Sequence, residues 1–196
     1  MSKTHPQILQ LDVSGNPQRW IDFELAAYYY AKGMVAWSIS GDEFTIYGGI
    51  DCGGSVSSLD INTIIAVKGE RSNRHVNYQH RVPTLTNRAL FRRDHNLCAY
   101  CGNIFQPGSL TRDHIIPRSR NGVDKWENVV TACGPCNKRK DARTPTEANM
   151  DLLYVPYTPT VAEYLLLMNR NVLANQMEFL KAQIPKHSRI HCPPLT

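Results

Sequence analysis

Apolar and polar positions alternate with a two-residue period in "QILQLD" near the start of the chain, which predicts a strand, and "SGNPQ" after it has turn composition. In "WIDFELAAYYYAKG" the apolar side chains Ile21, Leu25, Tyr28 and Tyr29 recur at helical spacing. Asp22 and Glu24 fall in its first turn, and Gly33 is placed to end it. "MVAWSIS" and "FTIYGG" predict two short strands and "SLDINTIIAVKG" a third. Further on, "LTRDHIIP" and "NVVTA" have strand composition. Thr144, Pro145, Thr146 and Glu147 have the form of a capped helix start, and "YVPYTPT" reads as an extended linker. Val161, Leu165, Met168, Val172 and Phe179 fall on or near one face of a single long helix over residues 161–184. No repeat interrupts the chain. The expected class is α+β, organised as an N-terminal α+β region over 1–80, a functional module over 81–145, and a C-terminal linker and long helix over 146–196 packing on the rest.

Composition narrows the class. Of the 196 residues 42% are hydrophobic and 20% charged, ordinary proportions for a chain with a packed core. The N-terminus lacks the apolar stretch of a secretory signal, and "YLLLM" and "IIAV" fall far short of a membrane span, so the expectation is a soluble cytoplasmic protein with no membrane partner. Charge is unevenly spread. Residues 81–143 carry twelve Lys and Arg against five acids, a net +7, whereas the remainder carries ten against twelve, a net −2. A positive excess confined to one third of the chain is the footprint of a polyanion-binding surface, although a solvated basic face has the same composition.

Six cysteines in a reducing compartment argue for metal or redox chemistry rather than disulfides. Cys98 with Cys101 and Cys133 with Cys136 form two Cys-x-x-Cys pairs, and two such knuckles brought together supply four soft ligands to a tetrahedral Zn²⁺. A closed four-thiolate site has no open position, so that zinc is structural. Reduced thiols or a redox dithiol are the alternative. Cys52, Cys192, His75 and His80 are isolated and receive no role; the two cysteines are expected as free thiols.

Between the knuckles Asp113 and His114 are neighbours, and on a strand their side chains point to opposite faces, which implies a division of labour. Neutral imidazole suits proton abstraction from water; a carboxylate is a hard ligand for Mg²⁺. Asn137 can add a second oxygen to that ion. Asn128, opening "NVVTA", can bridge backbone across the "RSRNGVDKWE" loop and hold His114 in orientation.

Together "LCAYCG", "RDHIIPRSRNG" and "ENVVTACGPCNKRK" resemble the HNH nuclease family, His-Me finger type, in its zinc-stapled form. The separations match: 14 positions from His114 to Asn128 and 9 from Asn128 to Asn137, within a resemblance covering roughly residues 88 to 145. The resemblance implies a β-β-α-metal finger with His114 as general base, Asn128 as the orienting asparagine, and Asp113 with Asn137 on a catalytic divalent ion. The family often has histidine where this chain has Asn137, which turns the expectation toward Mg²⁺ or Mn²⁺. "ILQLDVSGNPQRWI" is similar to the leading part of bacterial HNH endonucleases and implies no role.

The implied reaction is DNA phosphodiester hydrolysis to a 5′-phosphate and a 3′-hydroxyl. Arg112, Arg118, Arg120, Lys138, Arg139 and Lys140 are expected to neutralise flanking phosphates. A single finger cuts one strand, so a double-strand break takes a homodimer or two events. A noncatalytic zinc-knuckle DNA-binding protein is the alternative of a different class.

Overall fold

The computed structural model describes residues 5–50, 52–69, 81–169, 171–186 and 188–191. Its strands are β1 (Ile8–Leu11), β2 (Pro17–Ile21), β3 (Val35–Ile50), β4 (Val56–Val67), β5 (Leu110–His114) and β6 (Val129–Cys133). Its helices are α1 (Phe23–Ala31), α2 (Asn87–Arg93), α3 (Gly134–Lys140), α4 (Val161–Met168) and α5 (Ala174–Ala182). The class is α+β, as the hydrophobic pattern predicts. The described residues divide into two units, one drawn from residues up to 81 with 169–184 and the other from 82–168 with those after 184. His75, His80 and Cys192 lie outside the described residues.

The first unit is a four-stranded sheet in the order β2-β1-β4-β3. β4 lies between a parallel neighbour, β1, and an antiparallel one, β3, and its "IIAV" end is buried without alternation. Asp12 shapes the β1–β2 turn by accepting from the backbone N–H groups of Ser14 and Asn16. Asp22 caps α1 through the Leu25 N–H, and Gly33, at φ +63°, takes the left-handed step that ends it. Ile8, Ile21, Ala26, Tyr29, Ile61, Ile65 and Val67 form the core.

Two expectations change here. "MVAWSIS" and "FTIYGG" form one strand of 16 residues, because Ser40-Gly41-Asp42 makes a bulge rather than a turn, with Gly41 at φ +141° and the register shifting between Ile39 and Glu43. Among the described residues the single long C-terminal helix is replaced by two: α4 ends at Met168 and α5 begins at Ala174, in different units. The Asn169 side chain accepts from the Asn171 N–H, Leu173 is extended at φ −69°, ψ 159°, and Gln176 reaches back to the Leu173 N–H to start a new helix. Buried Gln176 then donates to the carbonyls of Gln7 and Thr63, pinning α5 to the sheet of the first unit.

In the second unit β5 and β6 form an antiparallel pair with Leu110 opposite Cys133 and His114 opposite Val129. Ala89, Leu90, Phe91, Leu110, Trp126 and Val129 make its core. Arg93 is fully buried there but fully engaged, donating to the Asp94 carboxylate and to the carbonyls of Trp126, Tyr157 and Val129. The capped start at Thr144 forms its reciprocal bonds with Glu147 but makes a single turn, closed by Asn149 at φ +52° and the Met150 N–H bond to the Pro145 carbonyl.

Candidate functional site

Four cysteines meet at one end of the second unit. Cys98 and Cys101 flank a knuckle in which the Gly102 N–H returns to the Cys98 carbonyl and Gly102 adopts φ +73°. Cys133 ends β6 and Cys136 lies in the first turn of α3. Their four sulfurs all lie within 4.8 Å of one another, and Cys101 Sγ is 4.0 Å from Cys133 Sγ. A tetrahedral zinc with Zn–S bonds of about 2.3 Å sets its sulfurs roughly 3.8 Å apart, so the cluster fits a structural Zn²⁺. Burial opposes ionisation of Cys98, yet the backbone N–H groups of Cys101, Cys133 and Tyr100 outweigh it and lower its pKa. Burial and the neighbouring sulfurs push the thiols of Cys101 and Cys136 up, a charge crowding that a bound cation relieves.

The pleat of β5 separates its side chains. Thr111 and Asp113 face α3, where Asn137 Nδ2 donates to Thr111 Oγ1 at 2.9 Å and Lys140 Nζ donates to Asp113 Oδ1 at 3.0 Å. Lys140 also reaches the His114 carbonyl at 2.7 Å, and the Tyr100 hydroxyl, from inside the first knuckle, donates to Asp113 Oδ2. Burial together with the Asp113 carboxylate raises the Tyr100 pKa, keeping that hydroxyl a donor. One side chain therefore ties the cysteine cluster to the Asp113 carboxylate.

Arg112 and His114 take the opposite face. His114 Nε2 lies 2.8 Å from Asp124 Oδ1, and Arg112 Nη1 lies 2.9 Å from Asp124 Oδ2 while its Nε donates to Asn87. The loop carrying Asp124 is drawn shut by Asn128, whose Oδ1 accepts from the Ile116 N–H and whose Nδ2 donates to the carbonyls of Ile116 and Val123. Gly122 is required in that loop, because a Cβ there would lie 1.7 Å from the Ile116 carbonyl oxygen.

The donors available to a divalent ion on the α3 side are oxygens, which suits Mg²⁺ or Mn²⁺. Asn137 keeps Oδ1 after donating to Thr111, and a carboxylate already bound to Lys140 and Tyr100 retains lone pairs. Asn137 lines an open cavity of about 360 Å³ with Thr111, Gly134, Lys138 and Asp141. Asp113 is not among its lining residues and is buried, so an ion joining Asp113 to Asn137 shares the carboxylate with the Lys140 ammonium.

The six expected phosphate contacts separate into two sets. Arg118, Lys138 and Arg139 are exposed. The others are committed to carboxylates: Arg112 to Asp124, Arg120 to Glu147 through two bonds of 2.7 and 2.8 Å, and buried Lys140 to Asp113. For Lys140 this corrects the expectation of a phosphate contact, because its ammonium is buried against Asp113. The sequence pattern assigns no role to Asp124 or Tyr100. Tyr100 lies between two ligands, where position alone draws attention to it; nothing in the spacing of Asp124 marks it as the partner of His114.

Residues 98–153 match the HNH endonuclease family, a stretch that contains both knuckles, β5, the loop, β6 and α3. No curated protein matches the chain. Among the described residues, no helix is long and apolar enough to cross a membrane.

Proposed function

We propose that this chain, whose residues 98–153 carry the HNH endonuclease pattern, is a metal-dependent endonuclease that hydrolyses DNA phosphodiester bonds. The observation that supports the reading is the separation of side chains on β5, where His114 projects from one face while Asp113 faces α3 and Asn137 from the other. Asp113 and Asn137 would hold Mg²⁺ or Mn²⁺, which when bound supplies positive charge to the phosphate in the transition state. The His114 imidazole takes the proton of an attacking water, a contribution of about 10²- to 10⁴-fold in rate. Asn128 keeps the loop beside His114 closed. Exposed Arg118, Lys138 and Arg139 anchor phosphates on either side of the cut without reading bases. The structural zinc on Cys98, Cys101, Cys133 and Cys136 holds knuckle and helix together. The products carry a 5′-phosphate and a 3′-hydroxyl, and a double-strand break takes a second copy or a second event.

One observation favours a second reading, a noncatalytic zinc-knuckle DNA-binding protein: the Lys140 ammonium already neutralises Asp113, the carboxylate that would hold the ion. Digestion of supercoiled, linear and single-stranded DNA with Mg²⁺, followed by mapping of the ends, separates the two. Cleavage leaving 5′-phosphates supports the nuclease. Retained DNA binding with no cleavage in Mg²⁺ or Mn²⁺ supports the binding protein.

A further inference from the structure

We propose that Asp124 is a positioning residue that sets the tautomer of His114, placing the ring proton on Nε2 and leaving Nδ1 as the atom that takes a proton from water. The inference rests on the reading of His114 as general base.

An ionised carboxylate has lone pairs and no proton to give. The 2.8 Å contact between Asp124 Oδ1 and His114 Nε2 therefore requires the hydrogen on the imidazole side, and a neutral ring protonated at Nε2 has its lone pair on Nδ1. Burial works against the charge on Asp124, but its bonds to His114 and Arg112 prevail and its pKa lies below the usual carboxylate range. Arg112 holds the carboxylate from its second oxygen, and Asn128 and Gly122 fix the loop backbone that carries it. Arg112, two residues before His114 on the same face of β5, fixes Oδ2 at 2.9 Å and is itself fixed by Asn87. Asn128 grips the Val123 carbonyl, immediately before Asp124, and ties it to Ile116. Gly122 lets the loop pass against the Ile116 backbone.

Stability alone gives little reason for the pair. Asp124 has 53% of its side chain exposed, and surface ion pairs of this kind contribute little to folding. The arrangement acts instead on which nitrogen of His114 is free.

Replacement by the isostere is the sharpest test. In Asp124→Asn the Arg112 guanidinium, a donor with no acceptor atoms, claims the amide oxygen. The amide NH₂ then faces Nε2, which must become an acceptor, so the ring proton moves to Nδ1 and blocks the base. Asp124→Ala removes the orienting bond without imposing that tautomer. The expected order of kcat is wild type above Ala above Asn, with Asn lowered roughly 100-fold or more and KM within about twofold. A role limited to bracing the loop gives the reverse order for the two variants, since asparagine keeps the shape and the Arg112 bond.

The second readout needs no activity. Long-range ¹H–¹⁵N correlation spectra of the His114 ring at alkaline pH should report Nε2–H in the wild type and Nδ1–H in Asp124→Asn. A neutral wild-type ring protonated on Nδ1, an unchanged tautomer in Asp124→Asn, or a kcat for Asp124→Asn above that of Asp124→Ala overturns the proposal. If the wild type fails to cut DNA, the nuclease reading falls, and the ring spectra still decide the assignment of Asp124.

Discussion

Replacing Lys140 with methionine keeps most of the stem and removes one charge from a pair whose side chains are only 1% and 6% exposed. The ammonium donates to Asp113 Oδ1 at 3.0 Å and to the His114 carbonyl at 2.7 Å, and both acceptors lose it together. Breaking a buried pair on one side costs about 3–5 kcal/mol. The Tyr100 hydroxyl still serves Asp113 Oδ2, which argues for the lower end, about 3 kcal/mol. Neutralising both partners, as in Lys140→Met with Asp113→Asn, leaves no stranded charge, so the double variant should cost less than the sum of the singles by on the order of 2 kcal/mol. The assay is urea unfolding of the zinc-loaded protein with and without Mg²⁺. The single variant exposes Asp113 to a divalent ion without a competing ammonium. Its stability should therefore rise with Mg²⁺, by about 2.7 kcal/mol at a hundredfold excess over Kd, and more than that of the wild type. A variant as stable as the wild type refutes the cost assigned to the stranded Asp113 carboxylate, and an equal Mg²⁺ effect on both refutes the placement of the ion there.

Other outcomes follow from the same geometry. The protein should contain one zinc per chain by atomic absorption, lost in Cys98→Ser, and a chelator should unfold the second unit, because apparent structural zinc affinities of roughly 10–16 kcal/mol exceed the stability of so small a core. DNA affinity measured against salt should lose about 0.9 from its log–log slope for each of Arg118→Ala, Lys138→Ala and Arg139→Ala. Arg120→Ala should change it less, since that guanidinium is held by Glu147. The Glu147 carboxyl, with its pKa lowered to about 2 chiefly by Arg120, supports the folded state above the ordinary value of 4.5 and loses that support as pH falls through about 2. In Arg120→Gln its NMR titration should move back toward 4.5.

The cysteine cluster was legible because each half is local. Two ligands three residues apart make a knuckle whatever surrounds them, and only their meeting depends on the fold. Asp113 and His114 part company for a reason equally local, the two-residue pleat of β5. Asp124 and Lys140 were illegible as partners of those residues, because each bond exists only once a loop has closed or a helix has packed against the strand. Apolar periodicity misled at the C-terminus. It runs through α4 and α5 alike, whereas the break depends on side-chain bonds at Asn169 and Gln176. Gly41 was ambiguous for a different reason, since a glycine between two apolar runs serves a turn or a bulge equally well and β4, long enough to pair throughout, decides between them.

The most direct test of the account is the single-turnover rate of DNA cleavage in Mg²⁺ by His114→Ala beside the wild type, with zinc content measured in both. The expected result is a rate reduced by about 10²- to 10⁴-fold with one zinc per chain retained. A rate unchanged by the substitution, in a protein that still holds its zinc, would contradict the assignment of the base and the mechanism built on it.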